Sequence, residues 1–452
     1  MNGMLTVFRN AWVDTQLRKK ILYTLFIIVL FRLGSNIFVP FLDNEAITTM
    51  ISGASLLNYL DTMTGGALGQ GTLLAMSITP YINASIIIQL LTVAIPPLER
   101  LSKEGEEGRK KLNSITKITS LVIALIQATT FYFTLRNGVT DSNGGHAAVL
   151  KFGDVLSGDG ASFEVILSAI TIISCFVAGA SVIIWLGDRI NEKGIGNGIS
   201  MILFAGIVAR LPETISTFYA LCKSDLKNII FVAVVVVVFA VMIWFVIFMT
   251  NAERRVPIQY AKRVVGRKMY GGQSTHIPIK VAMSGVMPII FAMSIMSLPQ
   301  TILYFFHITG DGTSGHSFWE SVARFFGTTS AGYAVLYFLL IIAFNYFYVS
   351  ITYNPIEIAN NLKKNNGAIP GYRPGKPTAD FIYNSLNKVT LIGAIFLGVI
   401  AIFPIILSWI NPNFSQLSLG GTSMLIIVGV ALETVRSLES QMMMRHHPGF
   451  LD

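Results

Sequence analysis

The chain has 452 residues, 53% of them hydrophobic and only 13% charged. Soluble domains carry about 25% charged residues, so the composition excludes a soluble protein and marks an integral membrane protein long enough for about ten helical spans. The net charge of +9 would point to nucleic acid in a soluble protein; here its distribution along the chain decides, and two cysteines, Cys175 and Cys222, make neither a disulfide framework nor a zinc site.

The Leu17-Arg18-Lys19-Lys20 cluster precedes an apolar run with no small-residue cleavage site at the usual distance. That run is expected to be retained as span one, residues 21–39. Between Asp61 and Glu99 lie 37 residues without a charge. Their first part, Thr62 to Gly71, holds Gly65, Gly66, Gly69 and Gly71 and predicts at best a short, weak helix. Their second part, Thr72 to Ile95, is apolar enough to cross a membrane, and Pro96-Pro97 closes span two at 72–97. Ile78 and Ile82 sit four apart on one helical face, with Pro80 expected to break the helix between them. Irregular backbone at membrane depth is tolerated only where protein buries it or it borders an aqueous cavity. The stretch therefore predicts a movable stopper followed by one pore-lining helix.

Hydropathy places span three at 113–135, span four at 163–186 and span five, short and glycine-bearing, at 197–212. Span six, 229–249, is the clearest: its 21 uncharged residues make roughly 30 Å of helix. Spans seven to ten follow at 284–306, 331–353, 389–410 and 420–441. The intervening segments 137–162 and 307–328 read as polar external loops. With the N-terminus placed in the cytosol, 26 of the 33 Lys and Arg fall on the cytoplasmic side, six on the other, and Arg32 inside span one. With acidic residues included, the two faces carry about +13 and −5, a bias that places both termini inside and accounts for the net charge. Ten spans divide into five and five. An odd number per half inverts the second half relative to the first, the setting for an inverted repeat with halves at 1–212 and 213–452.

Two cytoplasmic loops, about 251–280 and 357–388, are long and basic. The second contains Pro370, Pro374 and Pro377, follows Pro355, and predicts a stiff, exposed protrusion. Gly194-Ile195-Gly196-Asn197-Gly198 lacks the spacing and the βαβ setting of a dinucleotide fingerprint and reads as a glycine entry into span five. Gly371 to Lys376 fails as a phosphate loop, because Pro377 stands where Ser or Thr is needed. Asn83-Ala84-Ser85 matches a glycosylation sequon but lies inside a span, and His446-His447 reads as a solvated tail rather than a metal site. No carboxylate pair or nucleophile–base arrangement stands out, so neither a catalytic site nor a cofactor is expected. The rival class, an ion-coupled secondary transporter with broken helices, needs buried carboxylates or histidines as relays, and spans two to nine offer none.

The chain resembles the bacterial SecY family, the central subunits of the protein-conducting channel, over essentially its whole length. The likeness is carried by Gly65-Gly66-Ala67-Leu68, by Pro80-Tyr81-Ile82 with Ala84 to Leu91, and by Lys103-Glu104-Gly105-Glu106 with Gly108-Arg109. It continues through Gly194 to Ser200, Tyr260-Ala261-Lys262-Arg263, Gln273 to Lys280, Asn361-Leu362-Lys363-Lys364, Pro370 to Gly375 and Gly420-Gly421-Thr422-Ser423. The resemblance implies an all-α polytopic membrane protein of ten transmembrane helices in two inverted five-helix halves, enclosing an hourglass pore with a plug half-helix. It implies an apolar pore ring of Ile78, Ile82, Ile199, Leu203, Ile290 and Ile426, Leu203 standing where many members have isoleucine. The plug would be about 58–71, including Asn58, Tyr59, Leu60, Asp61, Thr62, Met63, Thr64, Gly65, Gly66, Ala67, Leu68 and Gly69. A lateral gate would open between spans two and three on one side and seven and eight on the other, with Gln89 and Gln127 as candidate polar residues. Partner docking would fall to Arg254, Arg255, Lys262, Arg263, Arg373 and Lys376. The implied partners are a SecE-type subunit, a SecG-type subunit, the SecA motor ATPase or the ribosome, signal peptides, unfolded secretory proteins and membrane lipids. The implied location is the bacterial plasma membrane.

Overall fold

The computed structural model describes residues 12–53, 61, 64–136, 139–140, 146–147, 149–151, 163–224, 226–260, 263–265, 268–270, 274–305, 318–327, 330–410 and 421–446. Helix α1 (Thr15–Gly34) is opened by Asp14, whose carboxylate accepts from the amides of Gln16 at 2.8 Å and Leu17 at 3.5 Å. That contact meets amides a helix start otherwise leaves bare. After α2 (Asn44–Gly53) and a non-helical stretch comes α3 (Thr79–Ala94), which bends by 102° into α4 (Pro96–Lys103). Ile95 precedes a proline and so is pushed into extended backbone, φ −111° and ψ 112°, which makes the corner.

The chain continues with α5 (Glu106–Arg136), the short pair β1 (Val139–Thr140) and β2 (His146–Ala147), α6 (Phe163–Lys193), α7 (Gly198–Ala209) and α8 (Leu211–Ser224). Next comes α9 (Leu226–Asn251), followed by strands β3 (Glu253–Tyr260), β4 (Arg263–Val265), β5 (Lys268–Tyr270) and β6 (Ser274–Lys280). Then come α10 (Met287–Phe305), α11 (Phe318–Phe325), α12 (Ala331–Thr352) and α13 (Pro355–Lys364). β7 (Gly367–Ala368), α14 (Lys376–Ile410) and α15 (Gly421–His446) complete the order. Among the described residues six helices are long and apolar enough to cross a membrane, or seven if the bent pair α3–α4 is one span.

Several sequence expectations need correction. Span two starts at Thr79, not Thr72, and residues 72–78 are a run of turns. Pro80 stands in the first turn of α3 and opens the helix rather than breaking it; its missing N–H would have no helical acceptor there. Within Thr62 to Gly71, expected to be at best a short, weak helix, Thr64 is helical and Gly65 to Gly71 is turn. Span five is followed by an unforeseen helix, α8, and the helix of span nine begins at Lys376 rather than 389. The fold is mostly helical but not all-α: a three-stranded antiparallel sheet of order β6-β3-β7 and two short ribbons lie among the described residues.

Three apolar cores fill the helical body. One joins residues 39–47 and 68–76 to α5 and α6, with Phe131 and Phe176 edge-to-face at 5.5 Å. A second joins α9, α10, α12, α14 and α15. The third lies between them and belongs to both halves. A buried polar clamp ties the second half together. The Ser284 hydroxyl donates to Asn345 Oδ1, and Asn345 Nδ2 donates to the Thr390 carbonyl at 2.9 Å. In an apolar surround such a clamp specifies helix register, since breaking it strands buried polar groups.

Gly179 on α6 lets the turn at Leu73 lie directly on the helix; a Cβ at 179 would run into the Leu73 carbonyl oxygen. Backbone on both sides of the clash leaves little room to relax. Gly179→Ala is therefore expected to cost about 1–3 kcal/mol, read as a lower midpoint of thermal unfolding in detergent. An unchanged midpoint would contradict this packing.

Candidate functional site

The third core contains all six residues singled out as an apolar ring. Ile78, Leu203 and Ile426 are buried within it, and Ile82, Ile199 and Ile290 pack against it partly buried. They come from both halves: Ile78 and Ile82 from the start of α3, Ile199 and Leu203 from α7, Ile290 from α10 and Ile426 from α15. Ile78 is the N-cap of α3, and the Ile82 amide donates to its carbonyl at 3.1 Å, so the two remain one turn apart although the helix begins between them. Asn197 caps α7, its side chain accepting from the Ile199 amide at 3.1 Å, and Gly196 supplies the left-handed turn before it (φ 77°). The glycine run is thus an entry to α7, which puts Ile199 and Leu203 on one face four residues apart.

Immediately before Ile78 the buried Ser77 sits in left-handed backbone, φ 48°. A non-glycine residue there is strained and must be held by its surroundings. Upstream, the described part of the stopper segment (Asp61 and residues 64–71) is tied into a knot around Asp61. The Gly69 amide donates to Asp61 Oδ1 at 2.6 Å, and the Gly66 amide and Thr64 hydroxyl donate to the Asp61 carbonyl at 3.0 and 2.9 Å. The knot is buried against the helices, with Leu68 in the first core. Arg210, just past α7, reaches Asp61 at 3.0 Å, and Arg32 of α1 donates to the Gly65 carbonyl at 3.4 Å. Gly65, at φ 70°, lies so close to α7 that a Cβ would stand 2.7 Å from the Gly206 carbonyl oxygen. The segment members Asn58, Tyr59, Leu60, Thr62 and Met63 lie outside the described residues.

Helix α10 packs on both α3 and α5, so these three helices share a seam between the halves. Ile86 of α3 crosses that seam and joins the second-half core with Ile289 and Phe291. Gln89 on α3 and Gln127 on α5 are both half-buried.

The two basic loops, distant in sequence, build one unit around a shared sheet. β3 pairs with β6 from Glu253 opposite Lys280 to Gln259 opposite Ser274, and β7 adds to the other edge of β3 through Gln259–Ala368 and Tyr260–Gly367. β7 pairs only the end of β3, so Pro257, which has no N–H to give, faces an unpaired stretch of that edge. Val256 and Ile258 point inward onto Leu362, Ile369, Ile382 and Leu386, while Arg254, Arg255, Arg373 and Lys376 stay exposed. Arg255 pairs with Glu253 at 2.8 Å, a solvated contact that leaves its charge available. Burial, with Arg436 nearby, pushes the Lys280 ammonium below its ordinary value, and Glu253 works the other way. Arg263 lies on β4, opposite Tyr270; Lys262 lies outside the described residues.

Sequence reasoning missed the Asp61–Arg210 pair and the union of the two loops. The signals were present: a lone acid and a lone base, each flanking an uncharged run, and the period-two alternation Arg255-Val256-Pro257-Ile258. Among the described residues there is no cluster of His, Cys, Asp and Glu able to hold a metal ion.

The profile of the SecY family matches residues 72–435. The protein translocase subunit SecY of Streptomyces coelicolor is 41% identical over 455 residues, covering 99% of this chain and 100% of that one. A solved structure concerned with the plug domain of the SecY protein, said there to stabilise the closed state of the translocation channel and to maintain a membrane seal, superimposes with a TM-score of 0.65. It is 18% identical and is covered to 96%, against 97% of this chain. Sec61 in the canine ribosome-channel complex from the endoplasmic reticulum superimposes at 0.62 with 18% identity, 97% of this chain and 96% of that one.

The shared core under the sheet yields a prediction independent of those likenesses. Ile258→Ala is expected to cost about 2–5 kcal/mol of local stability. Limited proteolysis should then quicken in residues 365–376 as well as in 251–280, because both segments rest on Ile258. Cleavage confined to 251–280 would contradict the shared core.

Proposed function

The chain belongs to the SecY family and is a protein-conducting channel subunit of the Sec translocase, not an enzyme, and from that premise we propose how its residues do the work. Ile78, Ile82, Ile199, Leu203, Ile290 and Ile426 form the ring through which unfolded secretory polypeptides pass. The observation that carries this is the meeting of all six, drawn from four helices and both halves, in one apolar cluster. An apolar constriction gives an ion nothing to replace its water shell and can gate by dewetting. Dispersion contacts are non-directional, so isoleucine and leucine can close around a chain of mixed sequence. A charged ring would trap some cargo segments.

Residues 58–71 are the plug that covers this ring when no cargo is present. Support comes from its position beside α7, where glycine backbone makes the close approach at Gly65. The seam of α3 and α5 against α10 is the lateral gate, with α12 behind α10 and Gln89 and Gln127 close to the opening. An apolar cargo helix leaving through it gains about 25 cal/mol per Å² of surface removed from water. Ten transmembrane helices in two inverted halves, 1–212 and 213–452, frame the pore. α1, α10 and α15 supply the spans beyond the seven that length and composition single out. The transporter alternative is set aside with the family assignment.

The cytoplasmic sheet and the tip at 370–377 are the docking platform for a motor ATPase of the SecA type or for a ribosome. Exposed Arg254, Arg255, Arg373 and Lys376 supply the contacts, with Lys262 and Arg263 on the same loop. The Tyr372 ring lies 4.4 Å from Phe381 and braces the tip. SecE-type and SecG-type subunits and the lipid of a bacterial plasma membrane complete the assembly, with both termini cytoplasmic. Hydrogen bonds and ion pairs tie together ends that charge counting puts on that side: Lys20 to Gln441, Arg436 to Asn251, and Lys117 to Asp188.

Deleting residues 60–70 is expected to make the resting channel leak ions intermittently in planar bilayers; unchanged conductance would remove the plug assignment. Arg373→Glu is expected to impair motor-driven export into inverted membrane vesicles at least severalfold while the protein's level and melting behaviour stay normal. Normal export by that variant would remove the docking role of the tip.

A further inference from the structure

We propose that Asp61, Arg210 and Glu213 form an exchange latch that sets how readily the plug leaves its seat, Arg210 trading a buried carboxylate for an exposed one. The inference rests on the plug assignment and assigns its regulation to named side chains. Asp61 is 4% exposed, and the Arg210 side chain only 13%. Their 3.0 Å ion pair is the only salt bridge to the described part of the plug segment. The knot around Asp61 is closed by its own hydrogen bonds, so it can move as a unit. Its other attachments are a 3.4 Å hydrogen bond from Arg32, a bond from the Thr48 hydroxyl to the Gly69 carbonyl, bonds from the Thr72 amide and hydroxyl to the Ala67 carbonyl, the Leu68 side chain in the first core, and close packing on α7. Among these the buried pair is the one contact between opposite charges.

A buried arginine stripped of its counter-ion would make opening very costly, because an unpaired charge in an apolar site is poorly tolerated. Here the fold supplies a second carboxylate. Arg210 Nε also lies 3.0 Å from Glu213 Oε2, and its Nη2 lies 3.4 Å from Oε1, a side-on geometry along the start of α8. The Glu213 side chain is 63% exposed and so follows Arg210 without desolvation. In the seated state the guanidinium bridges both acids; in the displaced state it keeps Glu213, and Asp61 is hydrated as it moves out. α8, absent from the expected span pattern, is what brings Glu213 within reach.

The test uses the full-length chain reconstituted with its partner subunits in planar bilayers, with leak current as the readout and thermal melting as the folding control. Asp61→Asn and Arg210→Gln should each raise the open fraction of the resting channel about tenfold, the size expected for one buried charge-assisted contact. The double variant should leak no more than either single one, because both remove the same contact. Glu213→Gln should leak less than the parent, since Arg210 then loses the carboxylate it would keep when Asp61 leaves. The 60–70 deletion is the reference. A leaking deletion beside Asp61→Asn and Arg210→Gln channels as tight as the parent overturns the latch and leaves the plug standing. A tight deletion overturns the plug and the latch together. Additive single variants, or a Glu213→Gln channel leakier than the parent, overturn the exchange.

Discussion

Backbone that leaves the helix inside an apolar body must find its hydrogen bonds within the protein, and the stretch from Asp61 to Thr79 meets that demand with turns. The Gly71 amide donates to Leu68, Thr72 to Ala67, Ala75 to Thr72 and Ser77 to Leu74, all between 2.9 and 3.1 Å. Two bonds to the exit of α1 stitch the run in place: Val39 to the Gly71 carbonyl at 3.0 Å, and Leu73 to the Ile37 carbonyl at 2.8 Å. Helix α6 then lies on Leu73 through Gly179. The turns absorb the length that a continuous helix from Thr72 would have used, and Pro80 restarts the helix between the ring residues Ile78 and Ile82.

The same stretch holds opposite requirements side by side. Its distal part, residues 72–78, is bound to α1 and α6 by backbone and cannot move without unmaking the core. Its proximal part, around Gly65 and Gly69, presents carbonyls and bare Cα atoms to the helices, with Leu68 the one large apolar side chain among residues 64–71 that enters the first core. The boundary falls near Gly71, whose left-handed backbone (φ 60°) only glycine adopts freely. A fixed ring and a removable cover can thus be neighbours in sequence.

Most of this was legible in the residues. The uncharged run from Asp61 to Glu99, the glycines within it and the charge asymmetry of the loops identified a membrane protein with one irregular segment of consequence. What could not be read was where the irregularity ends. A run such as Leu73-Leu74-Ala75-Met76 has the composition of a helix, and only the approach of Gly179 and the bonds to residues 37–39 decide otherwise. The paired loops were hidden for another reason. β3 and β7 are about a hundred residues apart, and a two-residue strand such as Gly367–Ala368 carries no periodic signal. Arg210 and Asp61 were visible as isolated charges, but their meeting depends on how α7 lies against the segment, which no local pattern encodes.

The three-stranded sheet is joined to the helical body by short links. β3 follows α9 after a single residue, Ala252, and β6 passes through a short turn into α10. β7 connects by a few residues to α14, and α13 lies against that helix. With β3 one residue from α9 and residues 281–286 alone between β6 and α10, a load borne by the β3–β6 pair is delivered at the foot of the seam helix.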